Sequence, residues 1–120
     1  MIDLHTHTLF SDGELLPSEL VRRAEMTGYE AVGLTDHADS SNVEWIVPRL
    51  VQVCKDLNAH WKVRAIPGIE LTHIPPVMIG PLAEKARALG ALVVLVHAET
   101  LVEAVPPMTN PMAIEAVVDI

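Results

Sequence analysis

The 120-residue sequence is poor in cysteine and in aromatic side chains. Its one cysteine, Cys54, excludes an intrachain disulfide framework and falls in an apolar helical pattern, where it is most simply a small core residue. Four aromatic residues, 3% of the chain, offer no evident platform on which nucleic-acid bases could stack. These absences exclude a disulfide-rich scaffold and argue against a base-stacking module.

Positive charge is scarce as well. Eight lysine and arginine residues stand against sixteen aspartate and glutamate residues, and the formal net charge of −8 repels phosphate backbones, so nucleic acid is not a favoured partner. No apolar run reaches the roughly 18 residues that a membrane-spanning helix needs. The first residues lack the basic and apolar regions of a signal peptide, and the sequence therefore predicts a cytoplasmic protein.

The chain does contain a regular alternation of apolar patterns. Half of its residues are apolar and 20% are charged, which is typical of one soluble domain with a substantial core. Short apolar runs alternate with helical patterns and predict strands at 2–5, 31–35, 62–71 and 92–96 and helices at 17–27, 43–60, 78–89 and 111–116. Pro48 lies inside the second helical pattern, so that helix either begins near Pro48 or kinks there.

The first apolar run delivers three potential metal ligands. His5 and His7 are two positions apart, and in an extended strand such side chains point the same way and can bind one ion. Asp12 lies in Ser11-Asp12-Gly13, a turn pattern that can fold a carboxylate back toward the two imidazoles. The pattern favours a metal site over a merely polar strand end.

Each later strand also ends in a potential ligand. Asp36 and His37 follow the second strand, Glu70 lies near the end of the third, and His97 follows the fourth. Near-continuous apolar strands that alternate with helices predict an α/β fold with a parallel sheet. The carboxyl ends of successive parallel strands converge on one mouth, as in (β/α) barrels and open doubly wound sheets. We therefore expect these side chains to lie close together.

The chemistry of this ligand set limits the reaction. Imidazoles and carboxylates without thiolates suit zinc, manganese or iron, and more ligands than one tetrahedral ion needs indicate at least two ions. Paired divalent ions commonly hydrolyse phosphoester bonds. The sequence has no Gly-x-x-x-x-Gly-Lys phosphate loop, no Gly-x-Gly-x-x-Gly and no Gly-x-Ser-x-Gly elbow, so nucleotide binding and serine hydrolysis have no support.

Taken together, the motifs resemble those of the polymerase and histidinol phosphatase (PHP) family of metal-dependent phosphoesterases. The resemblance covers nearly the whole chain, in the family's order, and rests on His5-Thr-His7-Thr, Ser11-Asp12-Gly13, Thr35-Asp36-His37, Gly68-Ile69-Glu70 and His97. It implies a distorted seven-stranded (β/α) barrel of the TIM-like type. It also implies metal-dependent hydrolysis of small phosphate monoesters, as by a histidinol phosphatase, through a metal-bound hydroxide.

The resemblance further implies a centre of two or three divalent ions, with zinc, manganese and iron as the candidates. Its ligands would be His5 and His7 on one ion, Glu70 bridging that ion to a second held by His97, and Asp12 with His37 on a third. Of these residues, Asp12, His37 and Glu70 are the predicted catalytic residues. Asp36 is expected outside the ligand shell, orienting an imidazole, while His73 and Glu99 are candidates for support of the ligands or contact with substrate.

The sequence departs from the family in its second half. A full member supplies further ligands from a strand-end His-Pro-Gly, another histidine and a late Asp-x-His, none of which is present. Residues 116–120 resemble the opening of another strand, so residues 1–120 are expected to form a PHP-type domain truncated before the last barrel strands. If 120 residues were the whole protein, exposed sheet edges would favour a homo-oligomer.

Two other functions remain open at this point. An incomplete barrel could be a non-catalytic metal-binding or assembly module with loosely held ions. A metal-dependent amidohydrolase shares the His-x-His strand but usually also uses a lysine, and Lys55, Lys62 and Lys85 do not fall at the active end of a predicted strand.

Overall fold

A computed structural model describes residues 1–98, 106–116 and 118–119 of the chain. In these residues the strands are β1 (Ile2–Thr6), β2 (Ala31–Leu34), β3 (His37–Ala38), β4 (Arg64–Leu71) and β5 (Val93–Val96). The helices are α1 (Pro17–Met26), α2 (Val43–Asn58), α3 (Ile79–Leu89) and α4 (Thr109–Glu115), and a 3₁₀ turn (Pro76–Met78) precedes α3. No helix in this described part combines the length and apolarity that a bilayer span requires.

All strand pairings are parallel. Strands β2 and β3 both pair with β4. The register is the same in both, because the paired residues are 33 positions apart in sequence in each case, as in Ala31 with Arg64 and His37 with Glu70. They therefore form one strand interrupted at Thr35 and Asp36, flanked by β1 on one side and by β4 on the other, with β5 beyond β4. The sheet curls into a half-barrel with alternating helices, which confirms the predicted α/β class and part of a TIM-like barrel.

The core lies between the sheet and the helices, with α2 packed along β4. Its largest fully buried side chains include Leu34, Ile46, Leu50, Ile69, Leu71 and Ile79. Cys54 belongs to this core, as predicted, and burial raises the pKa of its thiol to about 12. Cys54 is therefore a packing residue of the core and not a reactive thiol.

The structure resolves one open question and adds one element. Helix α2 starts five residues before Pro48 and continues through it, because the proline ring is exposed and only one backbone hydrogen bond, to Glu44, is forfeited. Strand β3 was not predicted, since two residues are too short to show an apolar period. Its importance is that it carries His37 alongside Glu70.

Candidate metal centre

The carboxyl ends of the strands bring six side chains together. His5 lies in β1, His37 in β3 and Glu70 in β4, while His97 directly follows β5 and is held beside β4 by a backbone hydrogen bond to Leu71. The remaining two, His7 and Asp12, lie on the segment that follows β1. We call His5, His7, Asp12, His37, Glu70 and His97 the ligand cluster, and residues 7–13 the Asp12 loop.

Glu70 is the centre of the ligand cluster. Its side chain is 4% exposed, and its Oε2 lies 2.8 Å from His5 Nε2. Its Oε1 lies 3.1 Å from His37 Nδ1, 3.5 Å from His7 Nε2 and 3.7 Å from His97 Nδ1. A buried carboxylate surrounded by four imidazoles is costly to desolvate unless a cation shares the site.

Asp12 closes the other side of the cluster. Its Oδ1 lies 2.7 Å from His7 Nδ1 and its Oδ2 lies 3.2 Å from His37 Nε2. Partial desolvation acts to raise the pKa of Asp12, but the hydrogen bonds and charges of His7 and His37 together outweigh it and lower that pKa. Asp12 therefore stays a carboxylate to lower pH than an isolated aspartate.

The hydrogen bonds of His7 fix which ring nitrogen can bind a metal. Because a carboxylate can only accept, His7 Nδ1 donates to Asp12, and the Nε2 atom of neutral His7 keeps its lone pair. That nitrogen faces Glu70 Oε1, and within the described residues both atoms are buried without a hydrogen-bond partner. A cation bound between two such acceptors would satisfy both of them.

Both ring nitrogens of His37 have polar partners. Nδ1 lies 2.5 Å from the Thr72 hydroxyl, which itself donates to the backbone carbonyl of Glu70. Nε2 lies 3.2 Å from Asp12 Oδ2 and donates to it, because a carboxylate can only accept, so a metal bound at Nε2 would take the place of that proton. A polar partner on the second ring nitrogen is how proteins commonly orient metal-binding histidines.

These atoms fit divalent ions. In the described part of the chain three groups each offer three ligand atoms within 4.8 Å of one another, namely His5 with His7 and Glu70, His37 with Glu70 and His97, and His7 with Asp12 and His37. Ligands bound to one zinc ion at 2.0–2.2 Å lie about 3.4 Å apart, which is close to the observed spacings. The nitrogen and oxygen donors suit zinc, manganese or iron.

Asp36 was expected to orient an imidazole, and the structure corrects this. Its fully buried carboxylate accepts hydrogen bonds from the backbone N–H and hydroxyl of Thr8 and from the hydroxyl of Ser11. Across the described chain none of its hydrogen bonds comes from an imidazole. The reason is that Asp36 lies in the interruption between β2 and β3 and points under the Asp12 loop.

His73 lies at the edge of the cluster, outside the three ligand groups. Its ring stacks on that of His97, with centroids 6.0 Å apart and an interplanar angle of 25°. Its backbone φ of 54° is unusual for a residue other than glycine, and such conformations concentrate at functional sites. Glu99, the other candidate, lies outside the described residues.

Thr72 and Thr8 are the residues that the sequence did not single out. Thr72 orients His37, and Thr8 joins the Asp12 loop to Asp36. A signal for Thr72 was present, because it follows Glu70 by two positions in an extended segment and so lies on the same face. No comparable pattern marks Thr8, whose role depends on a residue 28 positions away.

The ligand cluster lines a groove of about 490 Å³ together with Val96 and Ala98. A second cavity of about 290 Å³ adjoins it through His37 and is also lined by Ala38, Asp39, Ser41, Asn42, Thr72 and His73. None of the described residues that line either space is a lysine. The site thus joins the groove of the ligand cluster to a smaller pocket that carries several polar groups.

Comparison with known proteins identifies the family of the chain. Residues 3–111, which include the whole ligand cluster, match the PHP domain. Uncharacterized protein MJ1295 of Methanocaldococcus jannaschii is 50% identical to the chain over 109 residues, which are 90% of this chain and 50% of that protein. The chain thus spans about half the length of the curated relative that it matches, and no solved structure matches it. With this match over most of its length, the chain belongs to the PHP domain family.

Proposed function

We propose that this protein hydrolyses small phosphate monoesters at a centre of two or three divalent ions. Its family is of the metal-dependent phosphoesterase type and is generally hydrolase-like. The observation that carries the proposal is the pair of buried acceptors, Glu70 Oε1 and His7 Nε2, which face each other without a hydrogen bond in the described structure. Two acceptors that face each other in this way favour a cation bound between them over a direct hydrogen bond between the two side chains.

Bound divalent ions would activate water and neutralise charge on the phosphoryl oxygens. The chain's own residues hold that centre together. Glu70 contributes two carboxylate oxygens to different sides of the cluster, so it sets the spacing between neighbouring ligand groups. Asp12 and His37 hold the third group, and Thr72 keeps the His37 ring in the orientation that presents Nε2.

The adjoining cavity is suited to binding a small leaving group that carries hydroxyls. Its carboxylate, hydroxyl and amide groups can bind hydroxyls, and Ala38 is its one aliphatic residue among those described. With the phosphate in the groove, the alcohol of the ester would lie beside Asp39 and His73. We therefore expect small polar monoesters to be better substrates than bulky apolar ones.

The test is phosphate release from purified protein loaded separately with Zn²⁺, Mn²⁺ or Fe²⁺. We expect glycerol phosphate and p-nitrophenyl phosphate to be hydrolysed faster than the diester bis-p-nitrophenyl phosphate, and a chelator to remove the activity. Stoichiometric metal binding without release of phosphate would instead identify a non-catalytic metal-binding module. Hydrolysis of amide substrates alone would identify an amidohydrolase, which the absence of lysine from the described lining disfavours.

Metal occupancy should depend on pH through the histidines. An imidazole binds metal only when neutral, and an unperturbed imidazole has a pKa of about 6.5. The pKa of Asp12 is lowered, so this carboxylate remains charged as the imidazoles protonate. We expect occupancy, measured by equilibrium dialysis with elemental analysis at constant ionic strength, to fall below about pH 6. Full occupancy at pH 4.5 would contradict ligation by histidine.

A further inference from the structure

We propose that Asp36 is a positioning residue for one ion of the centre, because it holds the Asp12 loop in place. The inference rests on the proposed metal centre and concerns the group formed by His7, Asp12 and His37. Asp36 binds no ion in this proposal. It acts through the loop that carries Asp12.

The contacts of Asp36 are those of a buried anchor. Oδ1 accepts from the backbone N–H of Thr8 at 2.6 Å and from the Ser11 hydroxyl at 2.6 Å, and Oδ2 accepts from the Thr8 hydroxyl at 2.8 Å. Both Asp36 and Thr8 are 0% exposed. A buried carboxylate with three short hydrogen bonds is well compensated, and the loss of its charge would leave these donors poorly matched.

Thr8 passes this restraint on to the rest of the loop. The Thr8 carbonyl accepts hydrogen bonds from the backbone N–H groups of Ser11 and Gly13, at 3.1 and 2.9 Å. The Thr8 hydroxyl accepts a hydrogen bond from the backbone N–H of Phe10 at 3.0 Å. Asp12 lies between Ser11 and Gly13, so both of its neighbours are tied to Thr8. The position of the Asp12 carboxylate therefore depends on the position of Thr8.

The loop is also too tightly packed to adopt many alternatives. A Cβ atom on Gly13 would lie 2.2 Å from the His7 carbonyl oxygen, so the backbone passes directly over itself at this point. On the outer side, the Phe10 ring packs edge-on against Trp45 of α2 at a centroid distance of 5.1 Å. Asp36 anchors the inner side of a loop that Trp45 contacts from outside.

Ser11 extends the network to a second ligand. Its hydroxyl oxygen accepts from the backbone N–H of His37 at 3.2 Å while it donates to Asp36. Asp12 and His37 are thus positioned from the same carboxylate. By contrast, Glu70 lies within the paired part of β4, and His97 is held by a backbone hydrogen bond, so neither depends directly on the loop. Asp12 belongs to the group with His7 and His37 alone, whereas His37 is shared with the group of Glu70 and His97, so the dependence on Asp36 is largest for the ion held by Asp12.

The test is Asp36→Asn, which keeps the shape of the side chain but replaces one acceptor oxygen by a donor. Zn²⁺ binding to the purified protein is titrated by equilibrium dialysis with elemental analysis. We expect one ion of the wild-type set to bind about 10–100-fold more weakly, the range for loss of groups that orient metal ligands, while the remaining ions are weakened much less. A merely structural role would instead weaken all ions together.

Two further variants complete the experiment. Asp56→Asn makes the same change on the exposed face of α2, where Asp56 contacts Gln52, and should bind zinc like the wild type. Ser11→Ala removes the hydrogen bonds of the Ser11 hydroxyl to Asp36 and from the His37 N–H but keeps both contacts of Thr8 with Asp36, so it should weaken the same ion to a smaller extent. This variant preserves the test if Asp36→Asn does not fold. Wild-type zinc binding by both Asp36→Asn and Ser11→Ala, or equal weakening of every ion, overturns the inference. A wild-type protein that binds no zinc overturns the proposed metal centre itself.

Discussion

Replacing Glu70 by glutamine is expected to weaken divalent-ion binding by at least about 100-fold, since loss of groups that only orient metal ligands already costs about 10–100-fold. Glutamine keeps the volume of the buried side chain, so packing is preserved while the charge is lost. Glu70 contacts three of the imidazoles through Oε1 and His5 through Oε2, and a neutral amide in its place would be a much weaker ligand for divalent ions. Phosphatase activity should fall in parallel to below about 1% of the wild-type rate.

The measurement pairs elemental analysis after dialysis with phosphate release. The matched control is Glu84→Gln, on the exposed face of α3 away from the ligand cluster, which should keep both properties. Addition of Zn²⁺ should raise the melting temperature of the wild type and of the control, because a ligand that binds only the folded state stabilises it. The proposed centre would be untenable if Glu70→Gln retained wild-type metal content and turnover.

Gly68→Ala is expected to destabilise the fold by about 2–3 kcal/mol, the upper part of the roughly 1–3 kcal/mol that is typical of an overpacked core. A Cβ atom at this position would lie 2.5 Å from the Val93 carbonyl oxygen and 2.9 Å from Thr35 Cγ2. Gly68 is paired with Val93, so relief of the clash requires β4 and β5 to move apart. That movement also displaces His97, and metal affinity should fall together with stability.

Urea and thermal unfolding would measure the effect, which corresponds to a fall in melting temperature of roughly 10 °C. Gly80→Ala is the matched control, because a Cβ atom on Gly80 in α3 meets only the Ala116 Cβ at 3.9 Å. Alanine is the better helix former, so this variant should be as stable as the wild type or slightly more stable. Equal stability of the two variants would show that β4 and β5 are not packed as closely as the structure describes.

The convergence of the ligands was predictable from the sequence because it follows from two regularities. Apolar runs mark the strands, and parallel strands deliver their carboxyl ends to one edge. His5, Glu70 and His97 could therefore be assigned to one mouth from their places in the chain alone. The turn pattern around Asp12 and the strand end before His37 pointed to the same mouth, and the structure brings both residues there.

What the sequence could not provide are contacts that depend on how loops fold back. The partners of Asp36 lie 25 and 28 positions before it, in a loop without a periodic pattern, so the expected contact with an imidazole was wrong. Strand β3 was missed because its pairing depends on β4 and not on its own two residues. Both cases are tertiary interactions that local propensity does not encode.

The order of the strands has a consequence for how the chain acquires its structure. Consecutive pairings join Ile2 to Ala31, Ala31 to Arg64 and Gly68 to Val93, which are separated by 29, 33 and 25 residues. Contacts of such moderate sequence separation let each strand dock on the preceding one as it emerges from the ribosome. His97, however, arrives only with the pairing of β5, the last of these three. Ion capture by the six-residue ligand cluster would then follow that pairing and stabilise molecules in which β5 has docked over intermediates in which it has not.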